Sequence, residues 1–392
     1  MAAARPAPRR SFVDVAAELG DVLRAASGRI EEARTLPPDL VRTMTERGLF
    51  RFWVPAIYGG PEITVQEGLD TFIELARHEA SAAWCSFIAN TTALTAANLS
   101  PEWAERIYRR ADAITGGFLQ PVGRAVPVDG GLVVSGRWPW GSGTRHCTMV
   151  GGGCIVDEAV APRADGLRVA FVFFEPSDVT FVDNWHSLGL RGSGSGDFAV
   201  SEAFVPEGRW IDIGSPEAIA RRHVDTPLYR FSFWGLLAAG VGCTALGIAE
   251  RAIEEFRHLA AVKTPQNSTR VLAERATAQA DVARAEATVR SARAFVGDTV
   301  GAAWDCAARG DPVTVEHKRL LRLAFTDATQ RCAETVARLF RTAGGEAVYE
   351  RSPFEKLLRD VNTASQHAIT AERVYELVGR LALGLDTDTG ML

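Results

Sequence analysis

The sequence predicts a mostly helical α+β protein with three parts: an N-terminal helical domain, a middle antiparallel β-domain and a C-terminal four-helix bundle. Residues 130–206 form the only long block with runs of Val, Ile, Phe and Trp punctuated by Gly, Pro, Asp and Ser, which is typical of antiparallel strands joined by turns. The segments before this block have apolar residues at helical spacing, and from about Phe233 onward the chain is almost entirely Ala-rich helical pattern. These changes of pattern predict domains at 1–115, 116–225 and 226–392.

The amino-acid composition argues against several classes of protein. Of 392 residues, 47% are hydrophobic, and the net charge is −5, which offers no electrostatic attraction to nucleic acid or to an anionic membrane. No uninterrupted apolar run reaches the roughly 18 residues of a membrane span, and the N-terminus does not resemble a secretory signal. The six cysteines include no CxxC pair, so neither a zinc site nor a disulfide framework is expected, and cytoplasm is the default location.

The N-terminal domain is predicted to consist of several helices. Asp39–Arg47 is a short one, and Thr64–His78 repeats apolar residues on one face. Ala82–Leu99 is almost uncharged, and a helix that is apolar all round is expected to be buried. Its polar and aromatic members are either satisfied core groups or the lining of a pocket, and Trp84 and Asn90 are the ones expected to face a ligand.

A cluster of unusual composition lies inside the β-domain. Trp138, Trp140, Ser142 and His146 combine two indoles with a hydroxyl, an imidazole and neighbouring glycines. Such a set suits a flat aromatic ligand, because an aromatic face stacks on it and glycine lets main-chain N–H groups come close. A Trp-rich turn packed against a helix is an equally good interpretation of these residues alone.

A second glycine-rich segment, Gly189–Asp197, has GxGxG spacing. It lies between two strand patterns, whereas a dinucleotide-binding fingerprint needs a strand followed by a helix. As a loop, it offers amide donors and Arg191 to an anionic or carbonyl-bearing ligand.

The C-terminal third contains four helical patterns separated by Pro and Gly. Long antiparallel helices with near-heptad apolar stripes make a four-helix bundle, and the Ala-rich faces that remain suit packing between subunits. The four patterns cover residues 233–263, 269–309, 313–343 and 353–385.

This order of elements resembles the acyl-CoA dehydrogenase superfamily over nearly the whole chain. The resemblance lies in FLQP (Phe118–Pro121), WPWGSG, LGLRGSGSGDFAVSEAFVP and FRTAGGEAVYERSPFEKLLRDVNTASQH. The dehydrogenases place a catalytic Glu where this chain has His367 and Ala368, and their Arg and Gln-Phe-Gly motif for the FAD pyrophosphate is replaced by AVKTPQNSTR. Removal of an α-proton from a thioester needs a carboxylate base, which Ala368 cannot supply.

With these departures, the chain is more similar to the two-component flavin monooxygenases of the same fold, which include aromatic and polyketide hydroxylases. The resemblance implies an oxygenase component that accepts reduced FMN or FAD from a separate NAD(P)H:flavin reductase, reacts it with O2 to a flavin hydroperoxide and hydroxylates an aromatic or polycyclic small molecule. The absent pyrophosphate motif favours FMN over FAD. No metal is implied, and the expected assembly is a homotetramer.

The resemblance also assigns roles to residues of this chain. His367 either takes a phenolic proton from the substrate or donates a hydrogen bond to the distal peroxide oxygen, and His146 either takes part in the chemistry or caps a turn. Gly344 and Gly345 are expected to approach the flavin of a neighbouring subunit. The implied catalytic residues are His367, Ser142 and His146, the flavin contacts are Trp140, Ser142, Arg191, Gly192, Ser193, Gly344 and Gly345, and the substrate contacts are Trp84, Asn90, Phe118, Gln120 and Trp234.

Three alternatives remain open at the level of sequence. An amine or amino-sugar N-oxygenase of the same fold uses the same flavin chemistry, although the apolar, aromatic pocket candidates favour an aromatic substrate. An acyl-CoA dehydrogenase-like flavin oxidase would hold FAD and be yellow when purified, whereas an enzyme that borrows reduced flavin is colourless. A flavin-free helical scaffold or binding module is the third alternative, and the presence of Ser142, Arg191 and His367 at the family's functional positions counts against it.

Overall fold

The computed structural model of the protein describes residues 10–157, 168–214 and 221–392. Its N-terminal part is helical, as predicted, and side-chain caps mark where helices begin: Thr64, for example, accepts a hydrogen bond from the backbone N–H of Glu67. The nearly uncharged helix is buried along its length except at Ile88 and Thr92. The helices are α1 (Phe12–Glu18), α2 (Gly20–Ala33), α3 (Pro38–Glu46), α4 (Val65–His78), α5 (Ala80–Ala93) and α6 (Pro101–Tyr108).

The middle part is one sheet of seven strands, in the order β5-β6-β2-β1-β3-β4-β7. The pairing of β1 with β3 is parallel and the other described pairings are antiparallel, so the predicted antiparallel β-domain is in fact mixed. Parallel neighbours arise because the chain leaves β2 through a loop and returns on the far side of β1. The strands are β1 (Thr115–Val128), β2 (Gly131–Trp138), β3 (Met149–Val156), β4 (Val169–Phe174), β5 (Thr180–Phe181), β6 (Phe198–Pro206) and β7 (Trp210–Asp212).

The FLQP segment lies inside strand β1. The register between β1 and β3 slips between Phe118 and Pro121, and again between Pro121 and Gly123. Proline has no N–H to donate to a neighbouring strand, which accounts for an irregularity at this position. The bulge leaves Gln120 exposed and Phe118 half-buried at this end of the sheet.

The C-terminal part is a helical bundle whose fourth predicted helix, 353–385, is interrupted. Two helices occur there, and the break at 366–372 contains His367. The side chain of His367 accepts the backbone N–H of Ile369 through Nδ1 at 3.2 Å, which removes that N–H from a continuing helical ladder. The helices are α7 (Pro227–Arg230), α8 (Phe233–Val262), α9 (Ala276–Ala308), α10 (Val315–Ala343), α11 (Pro353–Ser365) and α12 (Arg373–Ala382).

Helix α8 is the central helix of the bundle. It packs against α4, α5, α10 and α11. By length and composition it could cross a membrane, although the sequence pattern did not predict a membrane span. Most of its apolar stretch is buried inside the protein. The apolar character of α8 is therefore that of a core helix.

Candidate active site

Two glycine-rich loops, separated by about fifty residues in the chain, are hydrogen-bonded to each other at the edge of the sheet. The backbone N–H of Gly141 donates to the carbonyl of Gly196 at 2.9 Å, and the N–H of Gly143 donates to the carbonyl of Ser193 at 2.8 Å. Gly143 has φ +68°, in the left-handed region that glycine enters at little cost. The two motifs that the sequence singled out, WPWGSG and RGSGSG, therefore form one structure.

A chain of buried hydroxyl groups lies where these loops meet. Ser142 Oγ is 2.7 Å from Ser195 Oγ, which is 2.7 Å from Ser193 Oγ. The indole Nε1–H of Trp84, from α5, donates to Ser142 Oγ at 3.1 Å. Because an indole N–H can only donate, Ser142 accepts this bond and keeps its own proton for Ser195 or for a bound molecule. Sequence reasoning missed Ser195, although the Ser-Gly alternation of RGSGSG was a signal for it.

Trp84 also links the serines to His367. The two rings have centroids 5.7 Å apart at an interplanar angle of 63°, and Phe87 packs on the indole with centroids 4.8 Å apart. The structure thus brings together Ser142, Trp84 and His367 from the β-domain, the N-terminal helices and the bundle. Sequence reasoning anticipated these three residues but not the Trp84–Ser142 hydrogen bond.

The hydrogen bond from Ile369 determines which tautomer His367 adopts. Because Nδ1 accepts the Ile369 N–H at 3.2 Å, the neutral ring carries its proton on Nε2. Burial, and secondly the nearby charge of Arg322, lower the pKa of His367 to about 4. At neutral pH the side chain is therefore an uncharged hydrogen-bond donor through Nε2–H.

Aromatic side chains lie next to the serine chain at the protein surface. Trp140 is 61% exposed and has φ +53°, an uncommon and costly conformation for a bulky residue. Its ring centroid is 5.9 Å from that of Phe118, and exposed Gln120 follows Phe118 closely on the same strand. An exposed indole in a left-handed conformation, two residues before the buried Ser142, is suited to covering a flat ligand.

His146 lies against the same loop. A side chain on Gly143 would come within 3.1 Å of His146 Nε2, and the imidazole centroid is 5.5 Å from that of Phe50. Burial lowers the pKa of His146 to about 4. Its Nδ1 has no hydrogen-bond partner among the described residues, so the ring supports the loop by packing and not through a capping bond.

Asn90, predicted to contact the substrate, has a different role. Its Oδ1 accepts the backbone N–H of Trp53 at 3.0 Å, and its Nδ2 donates to the carbonyls of Leu49 and Ser86, each at 2.9 Å. The side chain is fully buried and these three bonds occupy both of its polar atoms. Asn90 therefore holds the connector between α3 and α4 in place, and the structure gives no support to the prediction that it faces a ligand.

Trp234 is engaged elsewhere. It lies in the first turn of α8, where its Nε1 donates to the carbonyl of Gly390 at 3.0 Å and its ring is edge-on to Phe233. The described contacts bring it to the end of the chain and not to Ser142. The structure thus gives no support to Trp234 as a substrate contact.

Arg191 and Gly192 contact helices of the N-terminal domain. Arg191 Nε donates to the carbonyl of Ser187 at 3.1 Å, and the side chain lines a polar cleft of about 690 Å³ whose lining does not include Ser142 or His367. A Cβ atom on Gly192 would lie 1.9 Å from Ile30 Cγ2, so glycine is needed there for close packing. Gly192 directly precedes Ser193, but neither Gly192 nor the Arg191 side chain is among the hydrogen-bond partners of the serine hydroxyls.

Gly344 and Gly345 follow the last residue of α10 and are exposed. Gly344 has φ +68°, and among the described residues no atom beyond the flanking ones lies within 4 Å of a Cβ built on Gly345. Within one subunit they contact none of the residues around Ser142 that have been described.

The histidines outside this site have ordinary partners. His78 Nε2 is 2.9 Å from Glu74 Oε1, and His223 Nε2 is 2.6 Å from the hydroxyl of Tyr58. Across residues 10–157, 168–214 and 221–392, no group of three or more His, Cys, Asp or Glu side chains is arranged to hold a metal ion.

Comparison with known proteins identifies the family of this chain. Residues 239–372 match the acyl-CoA dehydrogenase C-terminal domain. The chain is 30% identical to indole-3-acetate monooxygenase from Pseudomonas putida, over 94% of this chain and 92% of that protein, and 25% identical to the flavin-dependent monooxygenase oxygenase subunit HsaA from Rhodococcus jostii, over 94% and 97%. The crystal structure of 3-HSA hydroxylase from Rhodococcus sp. RHA1 has a TM-score of 0.89 and 22% identity, covering 98% of this chain and 100% of that one. The chain therefore belongs to the flavin-dependent monooxygenases that share the acyl-CoA dehydrogenase fold.

Proposed function

We propose that this protein is the oxygenase component of a two-component system and hydroxylates an aromatic or polycyclic small molecule with reduced flavin and O2. The observation that carries the proposal is the convergence of Ser142, Trp84 and His367 beside the exposed indole of Trp140. Family membership supplies the flavin dependence, and the site supplies groups of the right kind to bind and use it.

The residues present suit the ring system of a flavin. Trp140 and Phe118 offer aromatic faces, and Gln120 offers an exposed amide beside them. Ser142 accepts from Trp84 and has a proton left to donate to a ring nitrogen or carbonyl. Reduced flavin, when bound, would activate O2 so that one of its two oxygen atoms is transferred to the substrate. We assign Trp140, Phe118 and Gln120 to flavin binding and Ser142 to orienting the ring.

His367 acts in this proposal as a hydrogen-bond donor and not as a base. Its Nε2 already carries the ring proton, because Nδ1 is occupied by the Ile369 N–H. An added proton would have to go to Nδ1 and break that bond. Of the two roles that the sequence left open, donation to the oxygen being transferred thus has the better geometric support.

The site differs in charge from that of an acyl-CoA dehydrogenase. The position after His367 is Ala368, and the residues found next to Ser142 are Trp84, Ser195 and aromatic side chains, with no carboxylate among these partners. Proton abstraction next to a thioester carbonyl needs a base in contact with the substrate. The site therefore supports oxygen transfer better than dehydrogenation.

We further propose a homotetramer that receives reduced FMN, or FAD, from a separate NAD(P)H:flavin reductase in the cytoplasm. Support for an assembly comes from Gly344 and Gly345, which are both exposed, and from the open space beside Gly345, as expected for residues that approach a neighbour's flavin. The related HsaA protein is an oxygenase subunit by name, which supports a separate reductase here. FMN is favoured because the sequence lacks the pyrophosphate-binding motif of the dehydrogenases.

Rapid mixing tests the function directly. Anaerobic protein with reduced FMN, or with reduced FAD, is mixed with oxygenated buffer containing indole-3-acetate, the compound named for the Pseudomonas relative. We expect flavin oxidation that differs in rate from free flavin, hydroxylated product and little hydrogen peroxide. The proposal would be contradicted if the protein gave the same yield of hydrogen peroxide as free flavin, both with indole-3-acetate and with other aromatic acids.

Variants assign the roles within that experiment. Ser142→Ala and His367→Gln should each lower product per flavin oxidised by roughly 10- to 100-fold, the effect of losing a positioned donor. Thr299→Ala is the matched control, because it also removes a buried hydroxyl, but one bonded only to carbonyls of its own helix α9. A yield in the Ser142 variant equal to that of the control would exclude Ser142 from the site.

A further inference from the structure

A polar stripe on α10 faces the turn that carries His367. Arg322, Thr326 and Gln330 are spaced by four residues and so share one face of the helix. Arg322 Nη2 donates to the carbonyl of Ile369 at 3.0 Å, and Gln330 Nε2 donates to the carbonyl of Thr370 at 3.0 Å. The stripe thus fastens the turn through its backbone carbonyls.

Ile369 is held from both sides. Its carbonyl accepts from Arg322, while its N–H donates to Nδ1 of His367 at 3.2 Å. A second guanidinium nitrogen of Arg322 donates to the carbonyl of Met391, which ties the end of the described chain to the same point. Displacement of the Arg322 guanidinium would therefore free the one residue that sets the tautomer of His367.

The charge of Arg322 has no counter-ion close by. The residue is 3% exposed, and no carboxylate lies within ion-pair distance of it among the residues that the structure describes. Within the described part of the chain, the Nε of Arg322 is buried without a hydrogen-bond partner, as are the hydroxyls of Thr326 and Thr370. A buried cation held only by carbonyls is expensive, so its presence beside His367 is better explained by a task at the site than by fold stability.

We propose that Arg322 is a positioning residue for His367: it holds the 366–370 turn so that Nδ1 remains an acceptor and Nε2–H points at the reacting molecule. The inference rests on the proposed role of His367. It adds to that role a residue on a different helix, one that touches neither flavin nor substrate.

Arg322 also acts on the imidazole through its charge. The charged group that faces His367 is Arg322 from α10, and Trp84, which faces the ring from α5, is uncharged. Arg373 of α12 in turn faces Arg322 and, after burial, contributes to lowering the pKa of Arg322 to about 10. Loss of the guanidinium is therefore expected to raise the pKa of His367.

The test is the tautomer of His367, measured by NMR on protein with ¹⁵N-labelled histidine. The chain has seven histidines, and the His367→Gln variant identifies the signal. In the native protein we expect the proton on Nε2. In Arg322→Met we expect a mixture of tautomers, protonation at higher pH and about tenfold less product per flavin oxidised.

Arg331→Met is the matched control, since Arg331 lies on the same helix, is exposed and pairs with Asp327 at 3.4 Å. The inference would be overturned if the His367 tautomer were unchanged in Arg322→Met and the product formed per flavin oxidised equalled that of the control. If Arg322→Met fails to fold, Arg322→Lys decides: it keeps the charge but cannot bridge Ile369 and Met391, so the tautomer should still be disturbed. The NMR result stands independently of the reaction. Failure of the proposed function would show separately as absence of hydroxylated product in the native protein, and failure of the proposed role of His367 as unimpaired product formation in His367→Gln.

Discussion

His146 and His367 are neutral residues that the fold protects from protonation, and they lie near the two loops and the turn that form the site. Burial is the first cause of the lowered pKa in both, and each value is about 4. Histidine in an unfolded chain has a pKa of about 6.5. As the pH falls below 6.5, the unfolded chain binds protons that the folded protein does not. The contribution of these histidines to the free energy of unfolding is therefore fully present above pH 6.5 and decreases towards pH 4.

We therefore predict a loss of stability between pH 6.5 and pH 5, with each histidine contributing at most on the order of 3 kcal/mol over its whole range. Urea unfolding at pH 7.5, 6.5, 5.5 and 5.0 measures it. His146→Gln and His367→Gln should each make the profile less steep than that of the wild type, with the comparison anchored at pH 7.5. Parallel profiles in wild type and variants would show that these residues do not control it.

At the scale of elements, Lys356 joins three segments that carry the site. Its Nζ is 2.9 Å from Glu79, which caps α5, and 2.6 Å from Asp360, whose other oxygen accepts the N–H of Leu190 at 2.6 Å. Both carboxylates are 1% exposed. Although burial opposes the charge of Lys356, Asp360 and Glu79 raise its pKa above the ordinary value. The RGSGSG loop, α5 and α11 are thereby held together.

Removal of that ammonium should leave two buried carboxylates without compensation. We predict that Lys356→Met lowers the free energy of unfolding by about 3–5 kcal/mol. Arg351→Met is the control, because Arg351 and its partner Glu346 are exposed, and such a pair is worth less than about 1 kcal/mol. Urea unfolding at pH 7.5 compares the two. Equal losses would mean that the buried network contributes no more than a surface ion pair.

For the whole molecule, the proposed tetramer gives a role to Gly345, which is exposed and has open space beside it in its own chain. Light scattering should give four times the 42.3 kDa chain mass. Gly345→Glu should weaken binding of reduced FMN by about tenfold, because the new carboxylate would meet a neighbour's anionic flavin. The free energy of unfolding of the flavin-free protein should not change, since among the described residues only those flanking Gly345 lie near the position of a new side chain. Gly379→Glu, equally open within the chain, is the control, and equal FMN affinities in the two variants would contradict the assignment.

Much of the fold could be predicted because its signals are local. The apolar periodicity of α4 and the uncharged character of α5 depend on residues a few positions apart, and the helix–sheet–helix order follows from such patterns. The parallel pairing of β1 with β3 could not be predicted, because periodicity does not say which strand becomes a neighbour. The break after α11 was missed because a side chain, His367, competes with the backbone for the N–H of Ile369.

For the site, local patterns were enough to predict two glycine-rich loops between strands, one of them with Trp140 and Ser142, and the family resemblance pointed to His367 near the position of the dehydrogenases' catalytic Glu. Which side chains meet became apparent in the folded chain. Trp84 donates to Ser142 across 58 residues and Arg322 to Ile369 across 47, whereas Asn90 uses its polar atoms on the backbone of Leu49 and Trp53. The physical reason is that a buried polar atom takes whichever partner the packed chain places within hydrogen-bond distance, and that choice depends on contacts far apart in sequence.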